Sequence, residues 1–315
     1  MFDRPLRIAT RQSRLALWQA EHVAARLRAL HPQLEVVLVP MTTTGDRITD
    51  RPLAEVGGKG LFIKELELAL AEHRADIAVH SMKDVPTDMP PGMSLVAMLQ
   101  REDAHDAFVS TRFTHFDALP EGARVGTSSL RRQCQLMAAR PDLQMHTLRG
   151  NVETRLRKLD EGQYDAIVLA SAGLIRLRLA QRITQAIPFE RSLPAVGQGV
   201  VGVECRSDDE RSIALTQGLN DAEAWACCTT ERAFAQRLQG SCQSPIGGFA
   251  QLRGTQLTLQ GVVGSPDGRR VYRGTIDGDA VDGASLGVEL ANRLLAAGAD
   301  VLLAEQRAQA PGPSR

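Results

Sequence analysis

The chain has 315 residues, 43% of them hydrophobic and 23% charged, so it is long enough for two or three domains that each bury a core. Its formal net charge is zero, which argues against a protein-wide field for nucleic acid or anionic membranes but leaves room for a local basic cleft. No apolar run resembles a signal peptide or reaches the length of a membrane span. Five cysteines without a Cys-x-x-Cys pair argue against a disulfide framework or a metal site, and they favour a cytoplasmic location.

The first hundred residues predict strands that alternate with helices. Ser13 is a residue type that caps helices, and the apolar side chains after it recur at intervals of three and four up to Leu30. Residues 46–60 are polar and rich in glycine, which predicts a mobile loop leading into a helix at 62–72. The predicted strands are 6–9, 36–39, 77–79 and 95–99.

A second series of strands and helices begins near residue 107, and a different texture begins at residue 221. The second series predicts strands ending at 126 and at 144–148, 166–170 and 200–204, with helices at 130–140 and 152–161. This alternation favours a parallel or mixed sheet with helices on both faces. From 221, a long helix, a loop of small residues at 240–248, strands at 256–262 and 270–276 and a helix at 286–296 predict a small α+β domain. We expect a disordered tail after residue 306.

The segment 79–86 carries a strand into a polar loop that contains Lys83 and Asp84 and ends at Pro86. In α/β proteins ligands bind at the carboxyl ends of strands, so Asp84 is a candidate reacting group with a cation beside it. The alternative is a surface turn with a local Lys–Asp pair.

Arginines stand at several predicted helix starts, where a cation is disfavoured by the positive end of the helix dipole. The residues concerned are Arg11, Arg131, Arg132, Arg149 and Arg155. Free N–H groups and guanidinium groups together bind anions, so this placement predicts a ligand with several negative groups if the helix starts face one cleft. The alternative is that each arginine reaches solvent or pairs with a surface acid.

Cys242 lies in the loop of small residues rather than in an apolar stripe such as the one containing Cys134. An accessible cysteine acts as a nucleophile when its thiolate is stabilised, whereas an isolated cysteine is otherwise a small packing residue. No His or Asn partner is evident from spacing, so papain-like proteolysis is poorly supported.

Several motifs occur in one order along the chain, and together they resemble the porphobilinogen deaminase family. They are IATRQS at 8–13, GGKGLF at 57–62, HSMKDVP at 80–86, GTSSLRR at 126–132, LRGNV at 148–152, PAVGQG at 194–199 and GSCQSPIG at 240–247. The resemblance runs from about Leu6 into the C-terminal domain and weakens beyond about Arg253.

The resemblance implies a three-domain α/β protein. Two periplasmic-binding-protein-like α/β domains would face each other across a cleft, and a small α+β domain would carry Cys242. The implied divisions are 1–102 with 197–219, then 103–196, then 220–306, with 307–315 as the tail.

The resemblance also implies the reaction and its cofactor. Four porphobilinogen molecules would be joined head to tail with release of ammonia, and hydrolysis would free the linear tetrapyrrole hydroxymethylbilane. A dipyrromethane cofactor, bound by a thioether to Cys242, would serve as the primer. The family further implies a monomer, with no nucleic-acid or membrane partner.

Site roles are implied residue by residue. Asp84 would stabilise the azafulvenium cation left by deamination and help to move protons. Residues implied to hold the cofactor are Ser81, Lys83, Thr127, Ser129, Arg131 and Arg132. Residues implied to hold substrate and the growing chain are Arg11, Ser13, Arg149, Arg155 and Arg176. Lys59 and Phe62 would belong to a lid, with hinges near 99–103 and 193–199.

Three alternative functions explain fewer of these sequence features. A module that binds a small polyanion without chemistry explains the arginines but gives Asp84 and Cys242 no role. A phosphate-handling enzyme would use the glycine-rich segment 57–60, but the spacing is not that of a Walker motif. A nucleic-acid binder fits least, given zero net charge and 4% aromatic residues.

Overall fold

The structure is a computed structural model, and it describes residues 3–47, 60–240 and 244–309. The strands in this part of the chain are β1 (Leu6–Arg11), β2 (Val36–Met41), β3 (Ile77–Ser81), β4 (Met93–Met98), β5 (Asp106–Val109), β6 (Arg124–Gly126), β7 (Gln144–His146), β8 (Ala166–Ala170), β9 (Gln185–Ile187), β10 (Val201–Arg206), β11 (Ile246–Arg253), β12 (Gln256–Gly264) and β13 (Val271–Asp279). The α-helices are α1 (Arg14–Leu30), α2 (Thr44–Arg47), α3 (Lys64–Ala71), α4 (Leu130–Ala139), α5 (Val152–Asp160), α6 (Ser171–Arg176), α7 (Glu210–Thr216), α8 (Ala222–Arg237), α9 (Gly283–Leu294) and α10 (Asp300–Gln309).

The first sheet has the strand order β2-β1-β3-β10-β4. Strand β1 runs parallel to β2 and β3, whereas β10 is antiparallel to β3 and β4. Every residue of β10 is buried, as expected for a strand between two neighbours in a sheet covered on both faces. Helix α1 packs its apolar stripe on this sheet, with Ala20, Val23 and Leu27 fully buried.

The second sheet repeats this arrangement, with the order β7-β6-β8-β5-β9. Strand β6 is parallel to β7 and β8, and β5 is antiparallel to β8 and β9. The third sheet is the antiparallel meander β11-β12-β13, which packs on α8 and α9 through a core that includes Phe234, Leu257 and Leu290. No helix within the described residues combines the length and apolar character that a membrane crossing requires.

Two extended segments link the first and second sheets, and they run side by side. The chain leaves the first sheet after β4 and returns to it as β10. The Leu99 amide donates to the Val201 carbonyl at 2.9 Å, and the Glu102 amide donates to the Gly199 carbonyl at 3.0 Å. The double crossover therefore joins the two α/β units by two extended segments that are hydrogen-bonded to each other.

The predicted fold class is confirmed: two α/β units built on similar mixed sheets, with a small α+β unit after them. The prediction missed β11, because its residues Gly247 and Gly248 read as part of the loop of small residues. The predicted tail starts too early, because helix α10 continues to Gln309.

Candidate active site

The turn Met82–Asp84 follows directly from the buried strand β3. Met82 is buried, and its amide donates to the Val200 carbonyl at 3.0 Å, so the first residue of the turn is anchored to the segment that leads into β10. Its apolar neighbours include Val85, Met98 and Cys228. This anchoring leaves the side chains of Lys83 and Asp84 partly exposed on the other side of the turn.

Lys83 and Asp84 face a group of arginines that come from distant parts of the chain. The pKa of the Lys83 ammonium is lowered to about 8, chiefly by burial; Asp84 opposes this change, and Arg132 and Arg155 contribute to it. Among the described residues, no hydrogen bond reaches the Lys83 ammonium or the Asp84 carboxylate. An ammonium group held in this way is prepared to accept a carboxylate from a ligand.

Arg149 and Arg155 flank the start of helix α5. The helix begins because the Asn151 side chain accepts a hydrogen bond from the Thr154 amide at 2.8 Å. The Arg155 Nε donates to the Gly150 carbonyl at 2.7 Å. The pKa of Arg155 is lowered to about 10, chiefly by burial, with Arg132 and Arg149 contributing to the change. The charges at two helix starts, those of α4 and α5, therefore act on one another.

Arg131 and Arg132 lie in the first turn of α4, which Ser129 caps by accepting from the Arg132 amide at 3.4 Å. Both guanidinium groups bind the fully buried carboxylate of Asp106 on β5. Arg131 reaches it at 2.7 Å and Arg132 at 2.9 Å. These arginines, expected to hold cofactor carboxylates, are thus first of all partners of a protein carboxylate.

Asp106 is a site residue that sequence reasoning missed. Its oxygens also accept from the Ser192 hydroxyl at 2.8 Å and from the Gln198 amide at 3.1 Å. The two arginines keep the pKa of this carboxyl far below its usual range, although burial alone would raise it. A signal was present, because an acid opening the apolar strand Asp106–Val109 needs a cationic partner.

The predicted hydroxyl groups are engaged within the protein. Ser81 Oγ accepts from the Gln19 side-chain amide at 2.9 Å, which ties the end of β3 to helix α1. Thr127 Oγ1 accepts from the Ser129 amide at 3.2 Å, and Ser13 Oγ caps α1 by accepting from the Ala16 amide at 3.4 Å. In these contacts the hydroxyls shape the loops that hold the cations.

Arg11 is paired with an acid that was not foreseen. Its guanidinium forms an ion pair with Asp46, and its Nε lies 3.1 Å from the Asp46 carboxylate. The ring of Phe62 covers the same guanidinium at 4.2 Å from the ring centroid. Phe62, predicted as a lid residue, therefore contacts one of the predicted substrate-binding arginines, whereas Lys59 lies outside the described residues.

Arg176 lies apart from Lys83, where helix α1 meets the crossover. It donates to the Gly199 carbonyl at 2.6 Å, and its guanidinium carbon lies 5.6 Å from the centroid of the Trp18 ring. Burial lowers its pKa to about 10, and Glu102 opposes this change. Cys242, the predicted attachment point, lies outside the described residues.

A cavity of about 670 Å³ lies elsewhere, between helix α4 and strand β13. Its two arginines already have partners, since Arg191 pairs with Asp117 at 2.8 Å and Arg273 donates to Gln135 at 2.8 Å. It contains none of the predicted site residues. We therefore take the cluster of Lys83, Asp84, Arg132, Arg149 and Arg155, named here the cationic cluster, as the candidate active site.

The composition of the cationic cluster indicates its ligand. Among the described residues, the carboxylates of Asp84 and Asp106 act on Lys83, and the carboxylate of Asp84 acts on Arg155. Within residues 3–47, 60–240 and 244–309, no three His, Cys, Asp or Glu side chains are grouped to hold a metal ion. Partly buried cations with unused donors, such as Lys83 and Arg155, are stabilised by a ligand with several negative groups, such as a polycarboxylate.

Comparison with known families gives matches over most of the chain. The family model described as porphobilinogen deaminase, dipyromethane cofactor binding domain, matches residues 6–214. The model of the porphobilinogen deaminase C-terminal domain matches residues 225–296.

Comparison with solved structures gives only weak similarity. The periplasmic VFT2 domain of BvgS from Bordetella pertussis is 16% identical, with 67% of this chain and 86% of that chain covered and a TM-score of 0.42. A putative methionine-binding lipoprotein from Bacillus subtilis is 10% identical, with coverage of 70% and 92% and a TM-score of 0.44. The fold described above rests on the strand order of the chain itself.

Proposed function

The chain belongs to the porphobilinogen deaminase family, and from this premise we propose how its own residues serve the reaction. The enzyme is a transferase of tetrapyrrole biosynthesis, a hydroxymethylbilane synthase. It condenses four porphobilinogen molecules head to tail, releases ammonia and gives hydroxymethylbilane. It uses a dipyrromethane cofactor, which supplies the primer for the condensation.

The residues of the cationic cluster fit this cofactor. Each pyrrole of the cofactor and of the substrate carries an acetate and a propionate. The Lys83 ammonium has no hydrogen-bond acceptor among the described residues, and Arg155 uses only Nε on a backbone carbonyl. Unused donors on buried cations support the binding of several carboxylates. We assign Lys83 and Arg132 to the cofactor, and Arg149 and Arg155 to the substrate and the growing chain.

Arg131 contributes through preorganisation. Asp106 holds Arg131 and Arg132 side by side before any ligand arrives, so ordering these long side chains costs little on binding. Three hydroxyl groups hold the loops that carry these cations, through the contacts described above; they belong to Ser81, Thr127 and Ser129. Cys242 is the proposed attachment point, through a thioether.

Arg11, Ser13 and Arg176 are proposed to assist the substrate and the growing chain. Arg11 would exchange its partner Asp46 for a substrate carboxylate, and Phe62 covers it as part of the proposed lid that includes Lys59. Arg176 donates to the Gly199 carbonyl in the crossover, so a movement of the crossover would displace its guanidinium.

Asp84 is the proposed catalytic residue. Loss of ammonia from porphobilinogen leaves a cation, and a fixed carboxylate stabilises such a charge as it develops. The charges of Lys83 and Arg155 both interact with the Asp84 carboxylate, so the three groups lie close together. The observation that carries this proposal is an Asp84 carboxylate without a hydrogen bond among the described residues, close to Lys83 and Arg155, which have unused donors.

Substitution of Asp84 tests this role. Asp84→Asn keeps the size of the side chain and removes its charge, so we expect turnover to fall by about 100-fold or more while the protein stays folded. Steady-state kinetics and circular dichroism measure the two quantities. Asp117→Asn is the matched control, because Asp117 pairs with Arg191 at the surface, away from the cationic cluster. Near-normal turnover of Asp84→Asn would contradict the assignment.

The wider organisation is proposed as follows. The domains are 1–102 with 197–219, then 103–196, then 220–306, a division supported by the insertion of β10 into the first sheet. The protein acts as a cytoplasmic monomer on small molecules, without nucleic-acid or membrane partners. Zero net charge and the four free cysteines of the described residues support this proposal.

A further inference from the structure

Helix α8 lies along the segment that follows Asp84, and one face of the helix makes the contacts. Cys228, Arg232 and Gln236 are spaced four residues apart, so they lie on the same face. Cys228 belongs to the apolar cluster under Met82 and Val85. Gln236 donates to the Asp88 carboxylate at 2.8 Å. The helix therefore contacts this segment on both sides of Arg232.

Arg232 makes the central contact with three backbone carbonyls in a row. Its guanidinium donates to the carbonyls of Val85 at 3.2 Å, Pro86 at 2.7 Å and Thr87 at 3.2 Å. These residues belong to no strand, so their carbonyls have no ladder partner, and Pro86 has no N–H to donate. The planar guanidinium presents the donors of its two Nη atoms in a fixed fork that reaches all three neighbouring carbonyls.

The contact begins at the residue after Asp84. The segment Met82–Asp84 is a single 3-10 turn of three residues, so its own hydrogen bonds hold it only weakly. Met82 fixes the turn before Asp84, and Arg232 fixes the chain after it. Both anchors are needed to hold the carboxylate in one position, because the side chain itself has no hydrogen bond among the described residues.

We propose that Arg232 is a positioning residue for Asp84, acting by clamping the carbonyls of residues 85–87 to helix α8. This inference rests on the proposed catalytic role of Asp84. It gives helix α8, which belongs to the third unit, a direct part in the geometry of a site built by the first two. Misplacement of a reacting group by about 1 Å costs up to 100-fold in rate, so loss of the clamp affects kcat more than KM.

The test compares three variants in the assembled enzyme. We expect Arg232→Ala to lower kcat about tenfold or more with KM within about twofold. Arg232→Lys keeps the positive charge but loses the planar fork of donors, so its kcat should lie between that of Arg232→Ala and that of the unmodified enzyme. Arg237→Ala is the matched control, since Arg237 leaves the same helix but donates to Asn292 within the third unit. We expect it to match the unmodified enzyme.

Hydrogen exchange supplies a readout that is independent of activity. The amides of residues 82–89 should exchange faster in Arg232→Ala than in Arg237→Ala, while the β12 amides stay unchanged in both. An unchanged kcat, or unchanged exchange at 82–89, would overturn the proposal. If Arg232→Ala does not fold, Arg232→Lys decides by the same two measurements.

Asp84→Asn, run in the same assay, separates this inference from the one on which it rests. Loss of turnover in Asp84→Asn with normal kcat in Arg232→Ala refutes the clamp alone. Normal turnover in Asp84→Asn refutes the catalytic role and the clamp together.

Discussion

At the scale of single residues, the site contains two cations, Lys83 and Arg155, that have unused donors among the described residues. Burying a charge without a partner is costly, and proteins accept this cost mainly where a ligand later supplies the partner. Lys83 shows this most clearly, because burial brings the pKa of its ammonium down to about 8. Asp106 shows the opposite case, since its partners saturate it and hold its pKa low.

The pKa of Lys83 predicts how pH affects cofactor acquisition. An exposed lysine stays charged at pH 9, but Lys83, with a pKa of about 8, loses its proton as the pH rises from 7 to 9. The Lys83 ammonium is therefore charged below this pH range and neutral above it, so it binds a cofactor carboxylate more weakly as the pH rises. We expect the rate at which cofactor-free enzyme takes up dipyrromethane from porphobilinogen to fall roughly tenfold, followed by intact mass.

Lys83→Arg is the control for this prediction, because a guanidinium stays protonated over the same pH range. The variant should show a much smaller fall in uptake between pH 7 and 9. Parallel curves for the two proteins would mean that another group, or the substrate amine, causes the change.

At the scale of elements, a feature could be predicted from sequence when the residues that interact are close together along the chain. The caps Ser13, Ser129 and Asn151 each bond an amide three residues ahead, and all three helix starts were predicted. Strand β8 was predicted with its observed bounds, because a short apolar run carries its own signal.

Contacts between residues that are far apart in the sequence could not be predicted. Asp106 is separated from Ser192 by 86 residues, and Arg11 is separated from its acid Asp46 by 35. No local pattern indicates that such side chains meet, because the pairing depends on how the sheets are assembled. The candidate cations could therefore be identified, but their protein partners could not.

Gly199 in the crossover gives a prediction at this scale. Its φ is +87°, and an added Cβ would lie 2.3 Å from the Glu102 carbonyl oxygen. Gly162 has a φ of +75° with nothing within 4 Å of an added Cβ, so it isolates the conformational cost of about 1 kcal/mol. Gly199→Ala should lower the free energy of unfolding by roughly 1–3 kcal/mol more than Gly162→Ala, because the crossover must move.

Urea titration of both variants measures the difference in the free energy of unfolding. Equal losses would show that the two crossover segments separate easily, and that Gly199 is required only for its backbone conformation.

At the scale of the whole molecule, one buried carboxylate joins the three units. Glu231 on helix α8 accepts from the Gly197 amide at 2.7 Å and from the Ala250 amide at 2.9 Å. It also pairs with Arg101 at 2.8 Å. Arg101 and Gly197 belong to the two crossover segments, so helix α8 is tied to both of them and, through Arg232, to the segment after Asp84. A movement of the crossover segments would therefore act on the third unit as well.

The central claim is that this assembly holds an anionic primer covalently bound through Cys242. Intact mass of the purified protein under denaturing conditions, beside Cys242→Ala, tests it most directly. We predict an excess in the unmodified protein equal to two porphobilinogen units less two ammonias, and no excess in the variant. An unmodified protein that shows no excess mass, even after incubation with porphobilinogen, would contradict the account and favour a module that binds polyanions without chemistry.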